Sequence, residues 1–413
     1  MHRIKILLIC LVLTLIVNPA AFAFNDNIEE GFSFDINYRS VRIPVRISHN
    51  LVVVPMRIND SPPLNFILDT GVNTTILTEP LIAHFFEFPI DELVYVLGLG
   101  NEGIIEAGMS RGLTFKLNNI TGNNMNLIIL PEGILSFSEI FGFPVHGILG
   151  YDFFKEFPVQ INYRNNSIRI FRTSSYRIRR RSKVLPLHIQ NNKPYIDVTV
   201  VGADSTRVDS LRLLVDMGAT NPLFLNGSFK YLAPETISAY LGKGISGDLK
   251  GEMGRLKKMK INGFDFRDPL VAFPQEEFLS IANLKFDWQG IIGGGILSRF
   301  HLIIDYTEEQ IVLRRNRNYR DPFQTNPSGL EIVAQGANYN EYMVSYVREN
   351  SPAYEQDIRT GDQIIRITNE ETARLSLDDV VGLLNQYPGT VVRLEVLRGN
   401  SIYRKTITLR EDI

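Results

Sequence analysis

Cysteine is almost missing from this chain: Cys10 is the single one among 413 residues, and it falls in an apolar N-terminal segment. The body of the chain therefore has neither disulfides nor a thiol nucleophile. An excess of one charge is missing too. Lys and Arg number 43 against 45 Asp and Glu; without Arg3 and Lys5 the balance is 41 to 45, a net of about −4. No nucleic acid partner is expected from that charge. Past residue 2, His49, His84, His146, His188 and His301 are scattered with no His-x-x-x-His spacing, so neither metal nor cofactor is expected. Gly-Asn-Ser-Gly-Gly does not occur, which removes the serine nucleophile of that motif.

The N-terminus reads as a targeting segment. His2, Arg3 and Lys5 precede an apolar run over residues 6–17, and Ala21-Phe22-Ala23 offers small residues to a signal peptidase. That run is too short to cross a bilayer comfortably. Leu7-Leu8-Ile9-Cys10 is a poor lipobox, because Ile9 is not small and the apolar stretch continues beyond the cysteine. The expectation is a signal peptide over 1–23, export to the periplasm or beyond the cell, and no membrane span after cleavage. Export without disulfides suits a bacterial envelope protein.

The chain also repeats itself. Leu64-Asn65-Phe66-Ile67-Leu68-Asp69-Thr70-Gly71 has a counterpart in Leu211-Arg212-Leu213-Leu214-Val215-Asp216-Met217-Gly218. Gly98-Leu99-Gly100-Asn101-Glu102-Gly103 is matched by Gly242-Lys243-Gly244-Ile245-Ser246-Gly247, and Ile148-Leu149-Gly150 by Ile291-Ile292-Gly293. Phe157, Val159, Ile161, Asn162 and Tyr163 then pair with Phe300, Leu302, Ile304, Asp305 and Tyr306. A period of about 145 residues is too long for a solenoid, so each copy is a whole lobe. The two Gly-x-Gly-x-x-Gly hits follow no strand into a crossover helix, and turn chemistry explains them better than a dinucleotide site.

Within the lobes, residues 41–47, 51–58, 195–201 and 303–313 read as strand, and helix signal is sparse, with 79–86 and 235–240 as short candidates. The fold class is mainly β: two lobes at 24–181 and 182–318, then a further domain at 325–413. Arg177, Arg179, Arg180, Arg181 and Lys183 read as a solvated junction. Phe286 and Trp288 read as core or cleft lining.

An apolar strand ending in Asp-x-Gly lets the chain turn sharply, so that a main-chain N–H can reach back to the carboxylate. Two such turns related by pseudo-symmetry bring Asp69 and Asp216 together, and carboxylates that close share a proton. The Gly-rich stretch 95–108, with Tyr95, Gly98 and Gly100, reads as a mobile hairpin over the pair. On these motifs the lobes resemble the pepsin-like and retropepsin-like aspartic peptidases, and closely the bacterial aspartyl-protease-family proteins with a trailing PDZ domain, over about residues 40–413. The resemblance implies bilobal acid-protease β-barrels, a polypeptide substrate, Asp69 and Asp216 as catalytic pair, and support from Thr70, Gly71, Gly218 and Thr220. Met217 departs from the pattern: a thioether cannot donate the hydrogen bond that Thr or Ser would supply there. A peptide-binding protein with impaired chemistry is the competing reading.

Beyond a basic stretch at 314–320 and a polar linker, Ser351-Pro352-Ala353, Gly361-Asp362-Gln363-Ile364 and Pro388-Gly389 resemble the series of bacterial PDZ domains, with a capped helix at 376–384. By that resemblance Gly329, Leu330, Glu331 and Ile332 form the peptide-binding loop, though Glu331 suits a terminal carboxylate poorly.

Overall fold

The computed structural model describes residues 8–9, 30–100, 103–174, 176–275 and 289–413. Apart from a two-residue strand, Leu8–Ile9, the expected signal peptide lies outside them, as do Phe286 and Trp288. No helix among the described residues is long and apolar enough to cross a membrane.

The protein is mostly β. Strand Leu51–Ile58 shows how a run of branched residues sets the first lobe. Val52, Val54, Met56 and Ile58 point into the large core that spans the lobe bases, while Leu51 and Val53 point the other way into a smaller core under the hairpin. Leu64–Leu68 follows, pairs in parallel with Gly147–Leu149, and that strand runs antiparallel to Thr75–Leu77. The second lobe repeats the arrangement: Arg207–Val215 lies parallel to Gly290–Ile292, which runs antiparallel to Leu223–Leu225.

A third sheet joins the lobes. Val159–Asn162 pairs with Phe300–Asp305, Val159 opposite Ile304 and Ile161 opposite Leu302. Outward on one side come Ser167–Phe171 and Ser40–Pro44; on the other come Gln310–Arg315 and Lys183–Pro186. The order mirrors about its centre, so the sheet carries the near-twofold axis of the repeat. Arg177, Arg179, Arg180 and Arg181 are exposed between its halves.

One expectation changes. Residues 235–240, read as helix, lie in strand Thr236–Gly244, which pairs with Gly247–Arg255. A six-residue segment nucleates a helix poorly, and a partner strand was available to it. The polar linker after residue 314 is packed onto the second lobe. Tyr319 packs on Phe264, Phe266 and Phe300, and the buried Arg299 guanidinium sits 3.7 Å over the Phe323 ring. Arg299 donates to the carbonyls of Gly295 (2.8 Å), Asn318 (3.3 Å), Asp321 and Pro322 (3.3 Å), clamping the segment to the second lobe.

The last unit has strands Leu330–Gln335, Glu341–Val347, Gln363–Ile367, Val391–Arg398 and Ser401–Thr408 and a helix Leu377–Leu384. Ser376 and Asp379 close a capping box at that helix, each side chain accepting from the other's main-chain N–H. Leu330–Gln335 is an edge strand.

Candidate active site

Each Asp-x-Gly turn begins where its strand ends, and the neighbouring strand's glycine makes room for it. A Cβ on Gly150 would stand 2.4 Å from the Val72 carbonyl oxygen, and one on Gly293 2.3 Å from that of Asn221. Asp69 and Asp216 emerge side by side, both fully buried and within hydrogen-bonding reach of each other.

Main-chain donors fix one oxygen of each acid. Gly71 N–H donates to Asp69 Oδ1 (2.7 Å), while Ala219 N–H donates to Asp216 Oδ1 (3.1 Å). The Gly218 N–H is shared, 2.8 Å from Asp216 Oδ1 and 3.1 Å from Asp69 Oδ1. Among the described residues no group donates to Oδ2 of either acid. Thr70 crosses beneath: its hydroxyl donates to the Val215 carbonyl (2.6 Å) and accepts from Met217 N–H (3.1 Å). Met217 offers no counterpart; its thioether is buried in the main core. Thr220 lies past this cradle, its carbonyl accepting from Gly295 N–H (3.1 Å), and it lines the cleft.

Burial decides the protonation. It raises Asp69 to about 6, against the lowering pull of the Gly71 N–H, the Asp216 side chain and the Gly218 N–H. Asp216 is pushed well above the ordinary carboxylate range, first by burial and then by the charge of Asp69. The pair therefore keeps a proton near neutral pH, which belongs to the pair and not to either residue. Tyr195 and Tyr306 sit close enough to feel both the burial and the acids' charge, and their phenols stay protonated. The position of Tyr306 was legible only as a partner of Tyr163 in the repeat.

Two hairpins close the cleft. The first joins Glu92–Gly98 to Ile104–Lys116, the second Thr236–Gly244 to Gly247–Arg255. Their tips interlock: Gly98 N–H donates to Ser246 Oγ (3.0 Å), Ser246 N–H to the Leu99 carbonyl (3.3 Å), and Ser246 Oγ to the Gly103 carbonyl (2.7 Å). Gly100, at φ +140°, admits the crossing, since a Cβ there would stand 2.1 Å from Ser246 O. The tips are also exchanged. Leu99 of the first hairpin packs into the second lobe beside Leu214 and Ala219, and Ile245 of the second packs into the first beside Val72 and Val96. Tyr95 stands apart on the hairpin, 54% exposed. The repeated Gly-x-Gly-x-x-Gly was the sequence signal for both tips; Ser246 and the exchange of Leu99 and Ile245 had none.

The edge strand Leu330–Gln335 lies against helix Phe137–Phe141 of the first lobe. Just beyond that helix, a Cβ on Gly142 would stand 2.7 Å from Leu377 Cβ and 3.6 Å from Ala334 Cβ, between edge strand and helix. Ser48 also donates to Asp378 (2.9 Å). In the loop before Leu330, the N–H groups of Ser328 and Gly329 are taken by Asn326 Oδ1 (3.2 and 3.0 Å) and that of Leu330 by Ser328 Oγ (3.3 Å). Those donors are thus engaged from within, and Glu331 faces the cleft instead, while Ile332 packs into the unit's own core.

A family model described as aspartyl protease matches residues 54–153, and one described as PDZ domain matches 343–398. No curated protein matches the chain. Among solved structures, the photosystem II D1 C-terminal processing protease matches at 23% identity and a TM-score of 0.20, over 21% of this chain and 23% of that one. The match spans less than a quarter of that protein.

Proposed function

We propose that this chain, which carries an aspartyl protease domain and a C-terminal PDZ domain, is an exported aspartic endopeptidase acting through Asp69 and Asp216. The observation that carries this reading is the buried pair itself, each acid held by main-chain donors through Oδ1, with no donor to Oδ2 among the described residues. An ionised member of such a pair takes a proton from a water placed between them as that water attacks the peptide carbonyl carbon. The protonated member donates to the carbonyl oxygen. Collapse of the tetrahedral intermediate then breaks the C–N bond as the amide nitrogen receives a proton. Interlocked hairpins exclude solvent from this step, and substrate entry requires them to part.

Replacing either acid by Asn is expected to lower kcat at least about 10³-fold with the melting temperature retained, because the proton can no longer be exchanged. Unchanged peptide cleavage by Asp69→Asn and Asp216→Asn would sink the reading. The pH profile of kcat/KM is expected to fall on its acid side near 6, where the pair takes up its second proton. A limb near 4 would show that the closed, dry site does not represent the working enzyme.

Met217 favours one second reading, a protease-like peptide-binding protein with impaired chemistry. An inert wild type that gains turnover on Met217→Thr would support it; an active wild type sensitive to a statine-type peptide would reject it.

A further inference from the structure

A cavity of about 410 Å³ opens beside the second Asp-x-Gly turn. Gly218, Ala219 and Thr220 form one wall, and the hairpin tip at Leu99 and the helix Phe137–Phe141 close two others. The remaining wall is Glu331, Ile332 and Val333 of the PDZ edge strand, over 110 residues from the turn in sequence. Domain and hairpin are tied here: Tyr240 of the second hairpin stacks on Tyr346, centroids 5.6 Å apart. The lining charges are Glu139, Asp248 and Glu331 against Lys243.

We infer that this PDZ strand is a subsite wall of the cleft, and that it takes an extended polypeptide with a Lys or Arg placed against Glu331. The inference rests on the peptidase reading for its substrate, and on three observations for its place. The cavity is continuous with the turn whose Gly218 N–H reaches both acids. The strand that walls it is a sheet edge whose Glu331, Ile332 and Val333 line the cavity, while Ala334 lies under Gly142. Third, Glu331 is half-buried, with Asn326 Nδ2 donating to its Oε1 (3.2 Å) and Arg348 nearby. Arg348 is itself committed to the Asn326 carbonyl (3.0 Å) and Asp412. Burial lifts the Glu331 carboxyl to about 7, against the pull of Asn326 and Arg348, so a cation beside it restores the charge that burial opposes. The PDZ unit would thus read the substrate at the cleft itself, not capture a distant terminus through a loop whose donors are engaged.

The test uses the full chain and a set of statine-centred decapeptides, each carrying Lys at one position or norleucine in its place. At one position wild type is expected to bind the Lys peptide about tenfold tighter than its twin, and Glu331→Gln to erase that preference while binding the norleucine peptide equally. Val333→Trp, which fills the cavity, should weaken the long peptides and spare ones truncated on that side. A Lys preference that survives Glu331→Gln, no preference at any position, or no binding overturns the inference. Cleavage of the matching amide peptides is followed in parallel. Absent turnover with the Glu331-dependent preference intact sinks the peptidase reading alone.

Discussion

In the first lobe the residue between Asp and Gly is Thr70, whose hydroxyl reaches across to the Val215 carbonyl and the Met217 N–H. In the second lobe it is Met217, which is buried in the main apolar core. The two turns nevertheless present their carboxylates alike, because the N–H groups of Gly71, Gly218 and Ala219 do the holding. Main chain sets the acids, and a side-chain hydroxyl from one lobe ties the halves together. A duplicated lobe can lose one hydroxyl and keep the pair, provided the other remains.

The sharpest way to break that comparison is Thr70→Val. It strands a buried carbonyl and a buried N–H, each costing about 1–3 kcal/mol, so a loss of roughly 3 kcal/mol is expected in denaturant unfolding, against less than about 1 for Met217→Leu. Equal losses would mean the tie is not where the hydrogen bonds place it.

A second difference lies two residues past the glycine beside each turn, where the first lobe has Asp152 and the second has Gly295. Burial raises Asp152 to about 6, with Lys155 pulling it down and Glu30 and Glu156 pushing it up. A carboxyl raised above its ordinary value binds its proton more tightly when folded. Its contribution is therefore full below about pH 4 and lost as pH rises through 6. Asp152→Asn is expected to match wild type near pH 4 and to be more stable by about 1–2 kcal/mol at pH 7.5. A pH-independent difference would show that Asp152 stays ionised through its polar neighbours.

The smallest effect is expected at the hairpin tips, where Ser246 supplies the hydroxyl and the first hairpin none. Ser246→Ala removes the bonds to Gly98 and Gly103, about 1 kcal/mol of closure, and should raise the association rate of a statine peptide about fivefold. An unchanged rate would place the opening barrier in the exchanged Leu99 and Ile245.

Much of this molecule was legible as local pattern. Asp69 and Asp216, the flanking glycines and the capped helix after Ser376 announce themselves because strand ends, tight turns and helix starts restrict their own residues. Residues 235–240 show the limit, since a short segment takes its state from the strand it meets. The loop before Leu330 shows another: that Asn326 and Ser328 take the N–H groups of Gly329 and Leu330 was not visible in the motif resemblance.

The sequence by itself determined a duplicated β lobe with one acid per copy and a distinct C-terminal unit, since those rest on repeats and on turns a few residues long. Only the tertiary structure decided that the acids are buried from bulk solvent, that Leu99 and Ile245 trade lobes, and that the PDZ edge strand lines the cavity beside the second turn. Burial and packing depend on residues more than a hundred positions apart, and no local pattern encodes which distant surface will remove a side chain from solvent.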